Sequence, residues 1–320
     1  MLSKLWFSQF PEWARPSHPI MRSILGGIPE GQRRRRLIVA GLIVVALIAV
    51  AVYAYATTDD LAVRDLLYYP LVFAQVIAVI VALTLTSNAV ATEEQRGTWD
   101  TLKLTLVGVP LTLRARWIAV FHQLRWLLGA IIIGRIIYLG LLLSDITEFQ
   151  GRALDLYISG ISPEVSLDAA ILIMVAFMTA FVMQPVVAVA VSAAVGVILS
   201  VLVRSRPMVF ILMLLIIGIF LALVFTGVTF ANDQILERTQ SLTQQDFSDT
   251  EGWGSLMLMA LQGDMGIKLT ELETQGQIWA DFEYGIYFGA IYLAIVVLSG
   301  SIANALVVLS AKRAANPTRI

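Results

Sequence analysis

The chain contains no cysteine and only two histidines, His18 and His122. The first absence excludes disulfides, thiolate nucleophiles and Cys-ligated metals. The second leaves too few imidazoles for a multi-His metal site or a bis-His haem. Charge is scarce as well: 14% of the 320 residues are Asp, Glu, Lys or Arg, against about 25% in soluble domains. The signatures G-x-x-x-x-G-K-[ST], H-E-x-x-H and G-x-S-x-G do not occur; residues 263–270 approach the first with the wrong spacing. Covalent chemistry is therefore not expected, and no catalytic, cofactor-binding or metal-ligating residue is assigned. The N-terminus does not read as a cleavable signal, because residues 2–13 are interrupted by Pro11 and lack a basic stretch before a compact apolar core.

What is abundant is hydrocarbon, with 58% of residues hydrophobic. A run of about 20 apolar residues crosses roughly 30 Å of bilayer core, and six such runs are present: 37–56, 66–91, 117–143, 169–203, 208–230 and 284–309. The expected fold class is an all-α polytopic membrane protein with six transmembrane helices. Its organisation is a basic, amphipathic N-terminal segment at 1–36, a membrane domain at 37–310, and a short tail at 311–320. The fourth run exceeds one perpendicular span, so it tilts, bends near Pro185 or projects beyond the bilayer.

Lys and Arg flank the spans unequally. Segments 1–36, 92–116 and 204–206 and the tail carry most of them, including the run Arg33, Arg34, Arg35 and Arg36. The opposite set holds Arg64, Arg152, Arg238 and Lys268 amid many acidic residues. Both termini are expected in the cytosol, with a long acidic loop at 231–283 on the outer side. Leu5, Trp6, Phe7, Phe10 and Trp13 suit an interfacial elbow helix before the first span; the arginines beside them anchor to anionic lipid, set topology, or both.

Inside the spans, Arg125 and Arg135 are the clear charges. A central charge costs roughly 2.5–3.5 kcal/mol on insertion scales, so each needs a partner or an interface. Two readings stand: the arginines line a pathway for an anionic or amphiphilic substrate, or they snorkel and pair structurally. Ala188, Ser192, Gly196 and Ser200 recur at four-residue spacing on one helix face, which permits close approach of another helix within the subunit or across a dimer seam. Gly285 and Gly289 give a weaker version in the last span, and Met257, Met259 and Met265 read as apolar filling or as soft ligands for Cu(I).

Between the second and third runs stands Glu93-Glu94-Gln95-Arg96-Gly97-Thr98-Trp99-Asp100, followed by Leu102, Leu104 and Leu106, with Pro110 expected to stop the segment before Arg114 and Arg116. Gly97 allows a sharp change of direction. The leucine spacing suits a short amphipathic helix along the membrane surface, or the stretch is an ordinary turn joining two spans. A salt bridge from Glu93 or Glu94 to Arg22 of the elbow is expected.

This stretch, with Val109-Pro110-Leu111-Thr112 beyond it, resembles the acidic-x-Gly-Thr-aromatic/Leu-acidic signature of ATP-binding cassette type-2 permeases. His18-Pro19-Ile20-Met21-Arg22 is similar to an Asn-Pro-Ile/Val-x-x-Arg element before their first span, and the six-span layout agrees. Gln95 stands where that signature commonly has an acidic residue. The resemblance implies an exporter's permease subunit, paired with a second permease copy or a related chain. It would have no ATPase site of its own, with ATP and Mg held on a partner cytosolic ATPase. It also implies a coupling helix at 97–110, with Glu93, Glu94, Arg96, Gly97, Thr98, Trp99, Asp100, Leu102, Leu104 and Pro110 as the ATPase-coupling residues, in a prokaryotic cytoplasmic membrane. The alternative is a structural or anchoring membrane subunit of a larger complex. No nucleic-acid partner is expected.

Overall fold

The computed structural model describes residues 11–15, 18–25, 63–95, 97, 99, 102, 108–147, 165–203, 205–230, 257, 260 and 285–315. Every regular element among them is helical: a 3-10 turn at Glu12–Ala14, then α1 (Pro19–Leu25), α2 (Val63–Ser87), α3 (Ala89–Gln95), α4 (Gly108–Thr147), α5 (Leu167–Leu202) and α6 (Arg206–Phe230), and a 3-10 turn at Gly285–Tyr287 leading into α7 (Phe288–Ala315). Five of these helices are long and apolar enough to cross a membrane: Pro70–Ser87, Gly108–Ser144, Leu167–Leu202, Pro207–Thr226 and Gly285–Ala315. They correspond to five of the six expected runs. The expected first span at 37–56 and nearly all of the long outer loop lie outside the described residues.

The helix ends follow local chemistry. Ser166 caps α5, its hydroxyl accepting from the Ala169 N–H at 3.4 Å, and Asp168 sits in the first turn where the helix dipole favours negative charge. Pro110 and Pro207 lie in the first turns of α4 and α6, where a missing N–H leaves no helical bond unmade. Pro110 therefore begins a helix instead of ending the preceding segment. α4 starts at Gly108, earlier than the apolar run at 117–143 implied, because its buried positions Val109, Leu113, Val120, Leu124, Leu128 and Ile131 keep helical spacing straight through Arg114 and Arg116. Its 40 residues amount to about 60 Å at 1.5 Å per residue, about twice the bilayer core. α4 thus projects well beyond the span. Along its N-terminal half, Met21 of α1 is buried against Ala115 and Ala119, and His122 Nε2 lies 3.4 Å from the Ala14 carbonyl oxygen.

α5 is the central post, packed along α7 and α2 and crossed by α4, while α6 leans lightly on α2 and α5. Two glycines set the closest crossings. A Cβ at Gly196 would stand 2.0 Å from Thr86 Oγ1 and 2.8 Å from the Leu83 carbonyl oxygen of α2. One at Gly289 would stand 2.6 Å from the Ile173 carbonyl oxygen of α5. Where the helices part, aromatic side chains fill the space: Phe177, Phe288 and Tyr292 form one contact group, and Tyr138 packs on Phe181. The outward faces of α6 and α7 carry exposed residues such as Phe210, Leu215, Phe225 and Leu298. In water such a surface would be an aggregation hazard; in hydrocarbon it is the ordinary exterior of a membrane protein.

Candidate functional site

α3 ends in a sharp reversal. Gly97 has φ +67°, and its N–H donates to the Glu94 carbonyl at 3.0 Å, the usual role of a glycine just past a helix end. Among the described residues no atom lies within 4 Å of where its Cβ would be, so the need for glycine there is conformational, not steric. Glu94 and Gln95 are exposed on the outer rim of the turn. Immediately beyond it, Trp99 is 6% exposed and sits among Val90 of α3, Val109 and Leu113 of α4, Val197 of α5 and Ala311 of α7, with Leu102 alongside. The cluster that holds this indole draws residues from four helices. Of the expected coupling residues, Arg96, Thr98, Asp100 and Leu104 lie outside the described residues, and Pro110 belongs to α4 together with Gly108 and Val109.

Glu93 is buried and forms an ion pair with Arg116 of α4. The Arg22 expected as its partner is exposed on α1. The early start of α4 explains the difference, since it brings Arg116 alongside α3. With both side chains mostly withdrawn from water, removing one charge strands the other. Glu93→Arg is expected to lower stability by about 3 kcal/mol. Arg116→Glu in the same chain is expected to recover most of that loss and Arg22→Glu none of it, as read by thermal melting in detergent.

The two membrane arginines separate cleanly. Arg125 is exposed beside Trp126, its guanidinium carbon 5.4 Å from the indole centroid. A neighbouring Trp that is 79% exposed suits an interfacial anchor. Arg135 is 0% exposed. It donates to the Phe181 carbonyl and lies 4.5 Å from the centroid of the Phe181 ring. That carbonyl is four residues before Pro185, inside α5. Proline has no N–H, so the helical bond from residue 185 back to residue 181 cannot form. Arg135 supplies the missing donor from α4, and the aromatic face adds a cation–π contact. One arginine is exposed on α4, and the other closes a gap in a neighbouring helix.

The small-residue stripe is internal. Ser192 donates to the Val79 carbonyl of α2 at 2.7 Å, Gly196 makes the close crossing, Ser200 is buried with its hydroxyl on its own Val197 carbonyl at 2.7 Å, and Ala188 lines a cavity. Trp117 adds a contact that carried no sequence signal, donating Nε1–H to the Ala190 carbonyl at 3.0 Å.

Comparison of the chain with protein-family models, with curated proteins and with solved structures finds no match.

Proposed function

We propose that this chain is the membrane permease subunit of an ATP-binding cassette exporter, with six spans, an N-terminal elbow helix, and both termini in the cytosol of a prokaryotic cell. In this reading a cytosolic ATPase on a separate chain, carrying ATP and Mg, seats against the reversal at Gly97 and the coupling helix that follows it. A second copy or a related permease completes the pathway, and this chain carries no catalysis of its own.

The observation that supports the reading best is the seat of Trp99. A segment loosely joined to the bundle would absorb a push from a partner. One whose buried indole sits in an apolar cluster shared by α3, α4, α5 and α7 transmits it. Glu94 and Gln95 stand exposed on the rim of the same turn, available to a partner. The Glu93–Arg116 pair fastens α3 to the N-terminal part of α4, and Arg135 fastens α4 to α5 at its proline break. A displacement at Gly97 therefore has a stiff route into the helix most able to bend.

Purification in mild detergent from native membranes, with mass spectrometry of what accompanies the chain, tests this. A stoichiometric P-loop ATPase is the expected companion. Its consistent absence, with other membrane subunits in its place, favours the anchoring role instead.

A further inference from the structure

A cavity of about 270 Å³ opens between α2, α5, α6 and α7. Its walls are mainly aliphatic, with Val79, Val187, Val191 and Phe220 representative, and the described lining residues include no charged side chain. Of its polar liners, Ser192 is committed to the Val79 carbonyl, leaving Gln184 and Ser299 as the other polar groups on the wall. Gln184, Ile217 and Ser299 stand near the midpoints of α5, α6 and α7, so the cavity lies at the depth of the hydrocarbon core. Its α6 wall is continuous with exposed Leu215 and Ile219 on a helix that rests only lightly on the bundle.

We propose that this cavity binds one acyl chain of a bilayer phospholipid, admitted alongside α6. The volume far exceeds the roughly 10–15 Å³ that a single water needs, so a run of chain methylenes fits within it. Water is a poor occupant, because it needs two to four polar partners and these walls are nearly all hydrocarbon. An empty space would forfeit dispersion contacts along every wall. The surrounding bilayer supplies chains at high local concentration and with no water to strip from them. This inference is independent of the ATPase reading, since it requires a membrane and no protein partner.

The test uses the full chain in nanodiscs of phosphatidylcholine bearing a diazirine at mid-chain, irradiated and mapped by peptide mass spectrometry. Adducts on Val187, Val191 and Phe220 are expected to plateau as the fraction of diazirine lipid rises, while adducts on Leu215 grow in proportion to it. Filling the cavity from two separate walls, with Ala188→Trp and with Ser299→Phe, is expected to abolish the plateauing adducts and leave those on Leu215 intact. The plateau decides the matter on the unsubstituted chain even where a filled variant does not fold. Cavity adducts that are missing, that grow in proportion like those of Leu215, or that survive in filled and folded variants would overturn the assignment. Missing adducts would also be the result if another protein segment occupied the space.

Discussion

Gly196→Ala is expected to lower the stability of the bundle by about 3 kcal/mol or more, the upper range for overpacking a filled interior. A methyl group there meets Thr86 Oγ1 at 2.0 Å, the Leu83 carbonyl oxygen at 2.8 Å and the Ser87 nitrogen at 3.1 Å. The hydroxyl can rotate away; the two backbone atoms can move only if α2 separates from α5. Adding Thr86→Ala is therefore expected to return only part of the loss. Gly129 and Gly218 are the controls, because their Cβ positions meet no atom within 4 Å. Alanine at either is expected to be neutral or to stabilise by up to about 1 kcal/mol through helix propensity. Melting of the four variants in one detergent checks the set, and equal behaviour of Gly196 and Gly129 would remove the close crossing from the account.

The second large effect concerns the proline break. Arg135→Met leaves the Phe181 carbonyl buried without a donor from α4 or from its own helix, a cost of about 1–3 kcal/mol, and removes the cation–π contact as well. Replacing an ion by an apolar side chain is not destabilising in itself, so the background decides. In a Pro185→Ala chain, residue 185 regains an N–H and satisfies Phe181 from within α5. Arg135→Met is then expected to cost less, by about the 1–3 kcal/mol assigned to the orphaned carbonyl. A double-mutant cycle on melting reports that difference directly. An equal cost in both backgrounds would mean that Arg135 serves something other than the carbonyl.

Much of this arrangement was legible in the residues. Apolar run length located five helices, because a bilayer demands some twenty residues of hydrocarbon with every backbone bond made internally. The stripe through Ser192 and Gly196 was readable as a packing face, and Gly97 as a reversal, since both depend on local geometry. The start of α4 was not. Arg114 and Arg116 made that stretch look like a loop, whereas the helical spacing of Val109, Leu113 and Val120 persisted beneath the charges. The same misreading displaced the partner of Glu93 from Arg116 to Arg22. Arg135 and Pro185 each stood out alone, but they meet through a carbonyl 46 residues away. Sequence identifies which carbonyl a proline orphans; it does not identify the chain segment that answers it.

If a cytosolic ATPase grips the turn at Gly97, substitutions on the exposed rim release it without touching the buried seat. Glu94 and Gln95 are exposed, so Glu94→Arg with Gln95→Arg changes the surface that a partner meets and leaves Trp99 and Glu93 in place. In the mild-detergent purification, a P-loop ATPase is expected with the unsubstituted chain and not with the substituted one, and the two forms of the membrane subunit are expected to melt at the same temperature. An ATPase that stays bound with the rim reversed, or that never accompanies the unsubstituted chain, would contradict a grip at this turn.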